Sequence, residues 1–230
     1  MMSPGPGLVD LSVILPVLNA GERLGRTLVD LPAVGEVIVV DGGSVDDTVA
    51  RAAALGARAL HSVPGRGHQL ALGAEAASGA WLLFLHADTR LDAPAWAALT
   101  NHIADPQARG WAGAFRFKLD DSAWQARLLE WGVGLRVALL ALPYGDQGLL
   151  IHRDLYAEVG GFAALPLMED VDLARRLGRH RLRRLDGAAL TSAERWRRRG
   201  WVRQSALNLR CLMLYFLGVA PARIATLYGR

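Results

Sequence analysis

Cysteine is almost missing from this chain: Cys211 is the only one, which excludes an intrachain disulfide and any zinc site built from several cysteines. Followed by Leu212, Met213 and Leu214, it reads as a packed residue rather than a nucleophile. Long apolar runs are also lacking. The longest near the C-terminus, residues 211–220, is too short to span a bilayer, although it can lie on one. The opening MMSPGPGLVD has no basic stretch followed by an apolar segment, so no signal peptide is expected and a cytoplasmic location is. No internal repeat is visible, and no low-complexity linker beyond residues 1–7, which are expected to be a flexible N-terminus.

What is present suits one ordinary domain. The 230 residues are 52% hydrophobic and 21% charged, enough to bury a core. The net charge of +4 is unevenly spread, because residues 175–203 hold eleven arginines against Asp186 and Glu194. That stretch is therefore +9 and the rest −5, a local basicity suited to phosphates, nucleic acid or an anionic lipid surface.

Short apolar strands alternate with helical stretches through the first half, the signature of an α/β, mostly parallel sheet flanked by helices. Strands are expected at residues 11–15, 37–40, 57–62 and 81–85, and helices at 23–31, 48–55 and 68–77. Ser44 with Asp47 three residues on resembles a capping box. Past Asp88 the rhythm becomes mixed: helix 95–103, strand 112–119, helix 123–140, strand 148–152, and helices 154–159 and 171–177. A domain over residues 8–193 is expected, with residues 194–230 as a basic and apolar helical appendage.

Several residues sit where chemistry is done in such sheets. Asp41 ends an apolar strand and is followed by Gly42 and Gly43, so its carboxylate can meet a ribose or base while the backbone approaches closely. Pro16, Asn19 and Glu22 follow the first strand, although Asn19 and Glu22 also suit helix capping. Arg66, between Gly65 and Gly67, precedes a helix and suits a phosphate or uracil, or an ordinary surface loop. WLLFLH delivers Asp88 at its end, where one carboxylate with diphosphate oxygens and water can hold a hard cation. His86, two positions earlier, shares that strand face but reads as structural. Asp146 and Gln147 form a polar turn suited to acceptor hydrogen bonds or to a tight connection. Glu169 and Asp170 open a helix, as caps or, for an aspartate on a cleft rim, as a general base.

Read together, LSVILPVLNAGE, VIVVDGGSVDDT, GRGHQLALGAEAASGAWLLFLHADT, GDQGLLIHR and MEDVDLARRL resemble the family 2 inverting glycosyltransferases of the GT-A fold, over roughly residues 11–184. FLHADT and TSAERWRRRGW resemble one bacterial subgroup. The resemblance implies a sugar transferred with inversion from a UDP- or GDP-sugar to an acceptor hydroxyl, with Mg²⁺ or Mn²⁺ as cofactor. It implies nucleotide contacts from Pro16, Asn19, Glu22, Asp41, Arg66 and Gly67, metal and diphosphate contact from Asp88, and a catalytic base in Asp170. The acceptor falls to Asp146, Gln147 and Glu169. His86 stands where the family's Asp-x-Asp motif often has its first aspartate, a departure that bears on the metal site.

Two other classes compete. A nucleotidyltransferase needs a glycine-rich basic loop after the first strand, whereas PVLNAGERLG is diffuse. A nucleic-acid binder explains the arginines but not the ordered acids at strand ends, so no nucleic acid is expected as a partner. Residues 124–142 and 208–228 are apolar enough for a lipid-linked acceptor, a dimer contact or core packing. Trp196 and Trp201 among the arginines resemble an interfacial belt, which gives the expectation of peripheral association with the inner, anionic face of the cell membrane.

Overall fold

A computed structural model describes residues 7–229; residues 1–6 of the expected flexible N-terminus lie outside the described residues. The first half alternates as expected: β1 (Leu11–Val17), α1 (Gly21–Val29), β2 (Glu36–Asp41), α2 (Thr48–Ala54), β3 (Arg58–His61), α3 (Arg66–Ala76) and β4 (Trp81–Phe84). Then come β5 (Thr89–Leu91), α4 (Ala93–Ala104), β6 (Ala112–Leu119), α5 (Trp124–Leu140), β7 (Leu149–His152), α6 (Arg153–Glu158), α7 (Glu169–Leu177) and β8 (Leu182–Thr191). Helices α8 (Glu194–Arg199), α9 (Trp201–Phe216) and α10 (Pro221–Tyr228) complete the described chain.

Eight strands form one sheet in the order β3-β2-β1-β4-β7-β6-β8-β5. Strands β1 to β4 run parallel, β7 is antiparallel to both β4 and β6, and β8 lies parallel to β6 and antiparallel to β5. Strand β1 is buried along its whole length, which explains why LSVILPV is nearly continuously apolar instead of alternating: helices cover both faces of a parallel sheet. The parallel half brings the carboxyl ends of β1, β2 and β4 to one edge, where α/β sheets hold ligands.

Two strands were not anticipated. β8 begins LRRLDG, with Arg183 and Arg184 exposed, so it carries no apolar alternation until Ala188 and Ala189 enter the core. The short β5 exists because Thr89, Arg90 and Leu91 pair with it. The capping box at Ser44 and Asp47 does not form. Ser44 Oγ is bonded to Asp41, and Asp47, although at the N-cap of α2, makes no capping bond and pairs instead with Arg51 at 2.6 Å.

The C-terminal helices α9 and α10 pack against α7. Cys211 is buried, as expected, in a cluster with Leu142, Met168, Val171 and Ile224 that joins α9 and α10 to α7. The interfacial-belt expectation for Trp196 and Trp201 is corrected: Trp196 is 5% exposed, its ring 6.2 Å from that of Phe117, and the half-buried Trp201 packs against a second cluster formed by Phe117, Leu119, Ala126, Val133 and Trp196. Burying a tryptophan there removes far more apolar area from water than a lipid interface would.

Candidate active site

The end of β2 is locked by its own turn. Asp41, 2% exposed, accepts hydrogen bonds from the backbone N–H of Gly43 (3.0 Å) and Ser44 (3.0 and 3.1 Å), and Ser44 Oγ donates to it as well. Asn19, at positive φ, ties the β1 and β2 loops together: its N–H donates to Ser44 Oγ at 2.8 Å and its side-chain oxygen accepts from Val45 at 2.9 Å. Gln69, which the sequence did not single out, is buried and donates from one amide nitrogen to the carbonyls of Val17 and Val40, both at 2.8 Å. It joins the carboxyl ends of β1 and β2, while Pro16 is buried in register with Val40. Glu22 faces elsewhere, exposed and paired with Arg26 at 2.6 Å.

A cavity of about 720 Å³, including its open mouth, lies beyond β4. Arg66, His86, Asp88, Asp146, Asp170 and Arg195 supply its charged and titratable walls. Arg66 starts α3, and Gly67 beside it must be glycine: a Cβ there would lie 2.3 Å from the Ala163 carbonyl and 2.6 Å from the Leu165 backbone. That contact presses the amino end of α3 against the loop before α7, so Arg66 Nε lies 2.7 Å from Glu169 Oε1. Glu169 is 1% exposed. Burial opposes the Arg66 charge, but the carboxylates of Glu169 and Asp170 more than offset it and hold the guanidinium above its ordinary pKa. Arg66 Nη1 also lies 3.3 Å from His86 Nε2, a donor–acceptor contact when the imidazole proton is on Nδ1. A Cβ at Gly145 would sit 2.5 Å from that same ring nitrogen, so the glycine makes room for the imidazole.

Neighbouring residues on α7 have opposite fates because a helix turns about 100° per residue. Glu169 points inward to Arg66, whereas Asp170 reaches the cavity wall. Asp170 is oriented by two backbone amides, Gly145 N–H at 3.0 Å and Val171 N–H at 2.8 Å. The expected acceptor-facing residues separate likewise. Gln147 is buried and braces the fold, donating to the Phe115 carbonyl at 2.9 Å and accepting from Tyr144 N–H and Arg136. Asp146 lines the cavity, and its buried Oδ1 has no hydrogen-bond partner among the described residues. Burial, with Asp170 nearby, pushes its carboxyl up to about 6, against the opposing pull of Arg136 and Arg66.

Asp88 is likewise pushed upward by burial, opposed by Arg195 and Arg23. The end of β8 ties the two aspartates' segments together: Thr191, its last residue, donates from Oγ1 to the Asp146 carbonyl at 3.1 Å, and the next residue, Ser192, donates its N–H to the Asp88 carbonyl at 3.2 Å. Besides Arg195, the C-terminal helices contribute Trp196, Asn208 and Tyr228 to the wall. Gln204, fully buried, donates to Asn208 at 2.8 Å and to the Tyr228 hydroxyl at 3.1 Å, with Arg195 3.4 Å from that hydroxyl. The Trp196 indole N–H is buried without an acceptor among the described residues. A buried unpaired carboxylate oxygen and a buried unpaired N–H in one cavity are costly unless a polar ligand meets them.

Among the described residues, no three His, Cys, Asp or Glu side chains converge as a ready-made metal cage. The donor set nevertheless fits a hard cation completed by a ligand. Three cavity carboxylates face two guanidiniums, one of them engaged by Glu169, so a diphosphate would enter a net negative space unless a cation came with it.

The profile of glycosyl transferase family 2 matches residues 12–165, and the chain belongs to that family. A TPR repeat-containing protein of Synechococcus elongatus is 34% identical over 111 residues, 45% of this chain and 27% of the relative, so the chain spans about a quarter of that relative's length. Glucosyl-3-phosphoglycerate synthase from Mycobacterium tuberculosis, solved with Mn²⁺, UDP and glucosyl-3-phosphoglycerate, superposes with a TM-score of 0.54 at 21% identity, covering 81% of this chain and 76% of the other. Mannosyl-3-phosphoglycerate synthase from Rubrobacter xylanophilus gives 0.54 at 19%, covering 76% and 65%. S. aureus TarS gives 0.59 at 16%, covering 79% and 36%. The fold they share is the GT-A α/β fold expected from the motifs.

Proposed function

We propose that this chain transfers a sugar from a UDP-sugar to an acceptor hydroxyl with inversion at the anomeric carbon. The observation that carries the reading is the single cavity in which Asp170, oriented by two backbone amides, faces Asp88, Arg66 and Arg195. A base and a site for a leaving diphosphate thus share one space. The UDP choice is supported by the neighbour solved with UDP and Mn²⁺.

In this reading Asp170 accepts the acceptor's hydroxyl proton while that oxygen forms a bond to the anomeric carbon from the face opposite the diphosphate. The bond to the diphosphate oxygen breaks and its electron pair leaves with UDP. Arg66 and Arg195 offset charge on the departing group. Asp88 would hold Mg²⁺ or Mn²⁺ with water and diphosphate oxygens, and the bound ion would supply further charge neutralisation. Glu169 is a positioning residue, fixing Arg66. Asp41 and the Asn19 loop shape the nucleotide end. Asp146 and the Trp196 N–H offer the polar contacts that an acceptor or the donor sugar would complete. Peripheral association with anionic membranes, bringing the enzyme to a lipid-linked acceptor, belongs to the same reading.

The decisive experiment is a transfer assay with purified protein and a panel of UDP-sugars, with Mn²⁺ or Mg²⁺ present and after chelation. Selective UDP-sugar binding or hydrolysis, suppressed by chelation and by Asp170→Asn in the transfer step, is expected. No stabilisation or turnover by any UDP-sugar would overturn the reading.

A further inference from the structure

Helix α5 leaves an apolar stripe in solvent. Trp124, Leu128, Trp131, Leu135 and Leu139 follow the 4-3-4-4 spacing of one helix face, and all five are exposed, the two tryptophans at 71% and 67%. Its buried side is occupied by Ala126 and Val133, packed against Phe117, Leu119 and Trp196. The stripe therefore is not the core-facing side of the helix. At 17 residues, about 25 Å of helix, it is a larger contiguous apolar strip than a solvated helix normally carries.

The surroundings choose its occupant. Along one flank of α5 runs a groove of about 910 Å³, mouth included, with Val133, Gly134, Val137 and Ala138 on one side and Arg116, Arg179, Arg183 and Arg184 on the other; its one acid, Glu130, is paired with Arg127 at 2.9 Å. Those four arginines are exposed, and none forms an ion pair among the described residues. Arg179 reaches the Leu139 carbonyl at the end of α5, and Arg197 holds Asp121 just ahead of it at 2.6 Å, so the basic stretch meets the helix at both ends. A second copy of the chain would bring the same positive rim against itself across a two-fold interface. An anionic bilayer satisfies both halves: aromatic and aliphatic side chains at the acyl boundary, guanidiniums at phosphate level.

We infer that α5, rather than the tryptophans of α8 and α9, is the element that docks this protein on anionic membranes, with its arginine-rimmed flank against the lipid phosphates. The inference rests on the membrane part of the proposed function but not on the chemistry of the cavity. The test is co-sedimentation of the full chain with vesicles of phosphatidylcholine alone or with added phosphatidylglycerol, at low and moderate salt. Wild type, Trp124→Ser/Trp131→Ser and Arg183→Ser/Arg184→Ser are compared, with UDP-dependent thermal stabilisation as the measure of an intact site.

Binding only to the anionic vesicles, weakened by salt, is expected. It should fall about tenfold for each tryptophan removed and drop also in the double arginine variant, with UDP stabilisation unchanged. Failure of wild type to bind any vesicle would overturn the membrane reading as a whole. Binding retained in the tryptophan variant would overturn only the assignment to α5 and move the contact to another face, such as the exposed Met213 and Phe216 of α9 with Leu217 just after it. A wild-type dimer that the tryptophan variant dissociates would overturn it in favour of self-association.

Discussion

Replacing Asp146 by asparagine should make the protein more stable and less active, and the gain should depend on pH. The folded-state carboxyl sits at about 6, raised from 3.8 chiefly by burial. Between roughly pH 4 and 6 the folded protein therefore holds a proton that the unfolded chain has released, so unfolding releases protons and stability from this group falls as pH rises. Below that window both states are protonated and the penalty is absent; above it the penalty is complete. A difference of about two units at about 1.4 kcal/mol each gives about 3 kcal/mol. Asparagine has the shape of the neutral acid and carries no such penalty. For a chain of this size the variant's gain at pH 7.5 amounts to about 6–12 °C in Tm, with little or no gain at pH 4. Thermal denaturation of both proteins at the two pH values, in the same buffer ions and without ligand, measures it. An unchanged or lower Tm for Asp146→Asn at pH 7.5, or the same increment at both pH values, would refute the reasoning. The activity loss expected alongside follows from the cavity position of Asp146, because a site that stores an unsatisfied charge trades stability for ligand contact.

Asp170→Asn should keep the fold and UDP binding while lowering transfer about 10²–10⁴-fold; single-turnover assays with near wild-type rates would leave Asp170 a helix-start residue only. Asp88→Ala should weaken UDP binding about tenfold or more in the presence of Mn²⁺ and little in its absence, with His86→Ala smaller, and isothermal calorimetry with and without chelator separates the two. Gly67→Ala should cost about 1–3 kcal/mol, because its Cβ would meet the Ala163 carbonyl at 2.3 Å. Denaturant unfolding should show the midpoint lowered with the m-value unchanged.

The parallel half of the sheet was legible because β1, β2 and β4 are apolar runs; Asp41 ends β2 as the sequence indicated, whereas β4 stops at Phe84 and Asp88 stands in the turn four residues beyond it rather than on the strand. Strand β8 was not legible: Arg183 and Arg184 hide its first half among the arginines, and its pairing with β6 and β5 is a long-range fact without local signature. The same composition concealed which arginine turns inward. Arg195 lines the cavity while Arg197 is held outside by Asp121, a distinction set by helix rotation, not by residue type. Tryptophan was misleading for a related reason. Trp196 looked interfacial beside its arginines but fills the core, and the exposed pair lies on α5, where Arg127 and Arg136 are scattered rather than clustered and give no comparable signal. Gln69 gave no signal at all, since a buried glutamine joining two strand ends looks like any helical glutamine.

The placement of Glu169 explains why two acids stand side by side at the start of α7. A carboxylate buried to 1% needs a cation to be tolerated, and Arg66 at 2.7 Å supplies it. Such a pair adds little net stability over apolar residues of similar size; what it adds is register. Arg66 is fixed at the amino end of α3 by the contact that only Gly67 permits, and Glu169 is one residue from Asp170. The pair therefore couples the position of the amino end of α3, proposed to meet the donor, to the helix that carries the proposed base. Gly145 closes the circuit from the other side, donating its N–H to Asp170 while leaving room for His86, which in turn touches Arg66. Displacing any one of these groups moves the base relative to the guanidinium, and a reaction that needs proton removal and leaving-group stabilisation in one step is sensitive to that distance.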